Sequence, residues 1–191
     1  FDIVIELNFT WFIIFGLVTL SLATGYFPER YRELSPSANL FLGVITSIFF
    51  FGSVLFHELC HALVARLNDV PIKKITLFIF GGVAQMLKEP ESPAAEFKMA
   101  IAGPASSFLL SFLFWITWLT TQTLRFSLIF TAPLLYLSWI NALLAIFNLA
   151  PGFPLDGGRV LRAALWYWLN NLTRATRIAS QMGKGVAYFL I

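Results

Sequence analysis

Residues 40–67 read LFLGVITSIFFFGSVLFHELCHALVARL, and the reading of this stretch decides the rest. The run is long enough to cross a bilayer, which takes roughly 20 predominantly apolar residues. Before Arg66, ionisable side chains interrupt it only at His57, Glu58, Cys60 and His61. A charge deep in a span costs at least about 2.5–3.5 kcal/mol and marks function by default. His57 and His61 are also the chain's only histidines. Four residues apart on a helix, they share one face. Two imidazoles so placed can both reach a zinc ion at roughly 2.0–2.1 Å. Glu58, inside the same H-E-x-x-H pattern, is then held beside the metal without binding it. It can take a proton from an activated water and deliver it to a leaving amine.

The remaining composition agrees with lipid as the solvent. The 191 residues are 58% hydrophobic and 12% charged, half the charged fraction of roughly 25% in a soluble domain. Phe (21) and Trp (6) are abundant, as suits membrane interiors and interfaces. The net charge of +3 comes from scattered Lys and Arg. No basic stripe interleaved with aromatic residues is present, which argues against nucleic acid as a partner. A single cysteine, Cys60, excludes an internal disulfide. The sequence starts at Phe1 rather than Met and ends at Ile191 in an apolar run, and it reads as a fragment.

Outward from the central stretch, a first apolar run covers about Leu7 to Ala23. Asp2 and Glu6 precede it where a signal peptide needs positive charge, so it reads as a span. After the second span Pro71 stops the helix. Ile72–Phe80 is rich in β-branched and aromatic residues and leads to Gly81-Gly82-Val83-Ala84, which predicts a short hairpin at the membrane surface. Lys88–Glu96 reads as a polar linker. The third run, about Lys98 to Thr123, has small residues four apart, Ala102 with Ser106 and Gly103 with Ser107, suited to close helix packing. The fourth is about Ala132 to Leu149. A Pro- and Gly-rich break follows, then a shorter helix over Arg159–Leu169 and a last one from near Thr176. The expected fold is an all-α polytopic membrane protein of about six transmembrane helices. A small membrane-associated β element sits between spans 2 and 3, and residues 1–191 form one transmembrane domain. Arg66, Lys73, Lys74, Lys88 and Lys98 place the segment after the second span in the cytoplasm.

Catalytic zinc takes three protein ligands and keeps one position open. With no third histidine, a carboxylate is needed. Asp2, Glu6, Glu29, Glu33, Asp69, Glu89, Glu91 and Glu96 fall in surface loops by sequence, whereas Asp156 lies between apolar segments, in NLAPGFPLDGGR over residues 148–159. Irregular backbone at membrane depth is tolerated only where it is buried in protein or lines a cavity, and a broken helix presenting a carboxylate to a metal meets that condition. Asp156 could instead cap the following helix or pair with Arg159. At 1.5 Å per residue, Glu58 lies about 12 Å from Arg66 and the cytoplasmic end of its helix. Asn148 could donate to a developing oxyanion. Either Asn148 or Asn141 could equally be interhelical glue.

With His57-Glu58-Leu59-Cys60-His61 in one span and Asn148 to Arg159 after another, nearly the whole chain resembles the site-2 protease family of intramembrane zinc metalloproteases. The resemblance implies that His57, His61 and Asp156 ligate one Zn2+ per chain, that Glu58 polarises water, and that Asn148 steadies the intermediate. Gly81-Gly82-Val83-Ala84 resembles the family's membrane-dipping β element, which holds unwound substrate as an added strand. Ala102-Gly103-Pro104 matches a further family segment. Cys60 stands where members commonly have Gly. It reads as a small packed thiol, the other reading being a thiolate ligand. The compact form, without an inserted PDZ domain, is similar to the bacterial and archaeal branch. Many members of that branch carry C-terminal CBS modules, which here would begin past Ile191. Nucleotide would be a partner only through such a domain.

The implied activity is hydrolysis of peptide bonds within or near transmembrane segments of membrane-protein substrates, a form of regulated intramembrane proteolysis. It would take place in the cell membrane, with the site nearer the cytoplasmic side and the lipid bilayer as the other partner. The sequence sets no oligomeric state. Two alternatives stand beside this reading. One is a membrane metal-ion transporter using His and Asp as an ion path, although no repeated halves with matched broken helices are visible. The other is an inactive scaffold stabilised by zinc.

Overall fold

The apolar runs become helices whose ends follow from local chemistry. In chain order the elements are β1 (Val4–Leu7), α1 (Phe9–Ser21), a π-helical turn (Leu22–Tyr26), α2 (Phe27–Arg30), α3 (Pro36–Leu67), β2 (Ile72–Phe78), β3 (Gly81–Met86), α4 (Pro93–Thr123), α5 (Leu128–Asn148), α6 (Asp156–Leu169) and α7 (Leu172–Leu190). The computed structural model describes residues 3–79 and 81–190, the last five by backbone only. Asp2 and Phe80, both used in the sequence reading, lie outside the described residues. The two longest helices start alike. Ser35 and Ser92 cap α3 and α4 by accepting from the N–H of Ala38 and Ala95, and Pro36 and Pro93 occupy the first turn. α3 ends where Asp69 turns left-handed (φ 59°) just before Pro71.

Among the described residues, four helices are long and apolar enough to cross a membrane: Phe9–Arg30, α3, α4 and α5. The sequence reading had about six. α6 has 14 residues, about 21 Å of helix against a hydrocarbon core of roughly 30 Å. α7 has 19 residues but carries Arg174, Arg177 and Lys184, and it is amphipathic rather than uniformly apolar. The outside of the bundle keeps large apolar side chains exposed, among them Phe12, Phe41, Phe49, Phe112 and Ile146, a surface suited to lipid.

The β element is a three-stranded sheet in the order β1-β2-β3. β2 and β3 form the expected antiparallel hairpin, with Ile75 opposite Ala84 and Leu77 opposite Gly82. β1 adds a parallel strand, Val4 opposite Lys74 through Leu7 opposite Leu77. The first span therefore starts at Phe9, after β1, and not at Leu7. Because β2 is central, β3 is an edge strand. The sheet is seated on α3 through a buried cluster that includes Ala62, Ala65, Val70, Ile72, Ile75 and Leu77, with Met99 of α4. This packing fixes β3 against the helix that carries the two histidines.

Candidate metal centre

One turn of α3 separates His57 from His61, and α4 aims both rings. The Nδ1 of His57 bonds to Ser107 Oγ at 2.9 Å, and the Nδ1 of His61 donates to the Met99 carbonyl at 2.7 Å. Both histidines are buried. With the Nδ1 atoms held from behind, the two Nε2 atoms face each other at 3.1 Å. α4 reaches this close only because residue 103 is glycine. A Cβ there would lie 2.1 Å from His61 Nε2 and 2.4 Å from His57 Nε2.

Asp156 completes the group. α5 ends at Asn148, and the chain doubles back so tightly that a Cβ on Gly157 would lie 2.2 Å from the Leu149 carbonyl oxygen. The reversal carries Asp156, the first residue of α6, toward α3. The N-cap position belongs to Leu155 and makes no side-chain cap, so Asp156 is not a capping residue. Its Oδ2 lies 3.1 Å from each Nε2. Arg159 turns elsewhere, toward Met86 and Glu96.

His57, His61 and Asp156 thus present three donor atoms in a triangle with 3.1 Å edges. Ligands at 2.0–2.1 Å around a tetrahedral zinc stand about 3.3 Å apart, close to what is found. The chemistry of the donor set agrees. The Met99 carbonyl can only accept, so the proton of a neutral His61 ring sits on Nδ1 and Nε2 offers a lone pair. A lone pair facing a carboxylate oxygen in a buried site needs a proton or a cation between them, and one metal ion would serve all three atoms at once. Second bonds on the far side of each imidazole are the usual support for metal-ligating histidines. The residues therefore fit zinc. Cys60, partly exposed, is not a member of the cluster.

A cavity of about 210 Å³ opens beside this triangle, lined among others by Glu58, His61, Gly82, Asn148, Asp156 and Arg159. β3 presses on Glu58: a Cβ on Gly82 would lie 2.4 Å from Glu58 Cγ. Asn148 is in the cavity wall, its Nδ2 donating to the Leu144 carbonyl at 2.9 Å. Asn141 is fully buried elsewhere and donates to Ser53 Oγ on α3 at 3.2 Å, an interhelical bond.

Sequence reasoning missed several residues of this neighbourhood. Ser107 reads only as a packing position, Gly103 as that and as part of a segment matching the family, and the Met99 carbonyl gives no side-chain signal. Glu96, read as part of a surface linker, is instead 0% exposed in the first turn of α4. Arg162 of α6 holds it, with Nε at 2.6 Å from Oε1 and Nη2 against the same oxygen. The pairing ties α6, and hence Asp156, to α4.

Fold and site together define a helical membrane protein with a buried two-histidine, one-aspartate cluster that could hold a metal ion, and a glutamate alongside. Residues 45–127 and 121–190 match peptidase family M50, and the chain belongs to that family. It is 42% identical over 191 residues to the Synechocystis sp. protein sll0528, named as a zinc metalloprotease, covering 100% of this chain and 49% of that protein. It is 39% identical to Zinc metalloprotease MJ0392 of Methanocaldococcus jannaschii, over 98% of this chain and 50% of that one. The chain thus spans about half the length of the curated relatives it matches. Among solved structures it is similar to the Site-2 Protease from Methanocaldococcus jannaschii. The TM-score is 0.61 at 34% identity, covering 97% of this chain and 77% of that chain.

Proposed function

We propose that residues 1–191 are the catalytic membrane domain of a zinc metalloprotease that hydrolyses peptide bonds within or near transmembrane segments of other membrane proteins. One observation carries the reading: three candidate ligand atoms from His57, His61 and Asp156 converge at 3.1 Å spacing beside Glu58, in a cavity next to an edge strand. Zinc held there supplies Lewis acidity, polarising a carbonyl and acidifying water.

The chain's own residues do the rest. Glu58 accepts the proton of the attacking water and passes it to the amine nitrogen of the leaving segment. Asn148, in the same wall, donates its side-chain N–H to the carbonyl oxygen as charge builds there. Amides inside a substrate helix are hidden in its hydrogen bonds, so the substrate must unwind. The free edge of β3 then takes it as an added strand beside Glu58. The basic residues around β2 and the polar linker support a site nearer the cytoplasmic face of the cell membrane.

The test is Glu58→Gln with a single-span model substrate in proteoliposomes. Cleavage should fall by about 10²–10⁴ while one zinc per chain is retained. Cleavage that survives the change contradicts the mechanism.

A further inference from the structure

Two arginines stand three residues apart on α6 with unequal partners. Arg162 is committed: Glu96 Oε1 accepts from it, and its guanidinium carbon lies 5.6 Å from the Phe153 ring centroid. Arg159 comes no nearer than 4.0 Å to that same oxygen, and its Nη2 meets Met86 Sδ at 3.8 Å, a weak acceptor. Among the described residues these are its hydrogen-bond and ion-pair contacts. A guanidinium has five donors, and this one is only 18% exposed. It stands in the wall of the cavity that holds Glu58 and Asp156.

The position of Arg159 along β3 gives it a register. Gly82 backs Glu58, and Met86, four residues further along the strand, touches Arg159. At about 3.3–3.4 Å per residue the two points are about 13 Å apart. A substrate strand lying along β3 with its scissile bond at Glu58 therefore reaches Arg159 about four residues from the cut. A guanidinium in a partly dry wall is matched best by a carboxylate, which it can take bidentately.

We propose that Arg159 is a specificity residue that binds a carboxylate side chain of the substrate about four residues to one side of the scissile bond. This rests on the proteolytic reading above.

The test uses the zinc-loaded full chain in proteoliposomes. A single Glu is moved through positions two to six on either flank of the cut in a model membrane substrate, with cleavage sites read by mass spectrometry. With Glu about four residues away on one flank, kcat/KM should rise about tenfold, mainly through KM, the size of one charge-assisted contact. Lys there should lower it. Arg159→Gln should flatten the scan, and Arg159→Glu should shift the preference at that position to Lys. A flat scan for the cleaving wild type, or an unchanged Glu preference in Arg159→Gln, overturns the assignment of Arg159. No wild-type cleavage of any substrate overturns the protease reading together with it.

Discussion

Gly103→Ala isolates the geometry of the metal centre with one methyl group. The added Cβ would lie 2.1 Å from His61 Nε2, 2.4 Å from His57 Nε2 and 2.7 Å from His57 Cδ2. Ordinary contact is about 3.5–4.0 Å, so the nearest ring must retreat by roughly 1.4 Å. Neither ring is free to do so, because Ser107 and the Met99 carbonyl hold the Nδ1 atoms from α4 itself. Ligand distances in a metal site tolerate about 0.2 Å. The retreat therefore removes at least one imidazole from the triangle. Losing an outer-shell partner costs about 10–100-fold in metal affinity, and losing a ligand should exceed the upper end of that range. Helix propensity pulls the other way, since Ala is better than Gly in a helix by about 0.8–1.0 kcal/mol. The assay is zinc per chain by mass spectrometry after equilibration with a graded chelator, with circular dichroism as the check on folding. A helical Gly103→Ala protein that holds zinc within threefold of wild-type affinity would show that residue 103 does not set the ligand triangle.

Gly82→Ala acts on Glu58, the proposed base, instead of the metal ligands. Its Cβ would press on Glu58 Cγ at 2.4 Å, and a misplacement of about 1 Å can cost on the order of 10²-fold in rate. Cleavage should drop at least tenfold while zinc content is unchanged. Glu96→Ala leaves the Arg162 guanidinium without its carboxylate. Breaking a buried pair from one side costs about 3–5 kcal/mol, so the variant should melt well below wild type in the same detergent.

The parts of this protein that were legible in sequence are those written locally. The four-residue spacing of His57 and His61 and the Gly–Pro break that exposes Asp156 are each contained in a dozen residues or fewer. What escaped depends on partners far along the chain. β1 is four residues long and takes its identity from β2, about 70 positions on. Glu96 sits at the end of a polar stretch, and its burial is set by Arg162, 66 residues later. Ser107 looks like any small residue of a packed helix until His57 is placed beside it. The sequence suggests about six spans and four stand out among the described residues, because α6 and α7 also contain apolar runs. α6 is nevertheless too short, and α7 gathers its apolar residues on one face.

Two imidazoles of α3 and the carboxylate of Asp156 are proposed to hold one zinc ion. X-ray absorption at the zinc edge of the loaded protein tests it directly. The zinc should be surrounded by nitrogen and oxygen only, at about 2.0–2.1 Å, with the scattering signature of two imidazoles that falls to one in His61→Ala. A sulfur shell at about 2.3 Å, or a spectrum unchanged by Asp156→Ala, would contradict it.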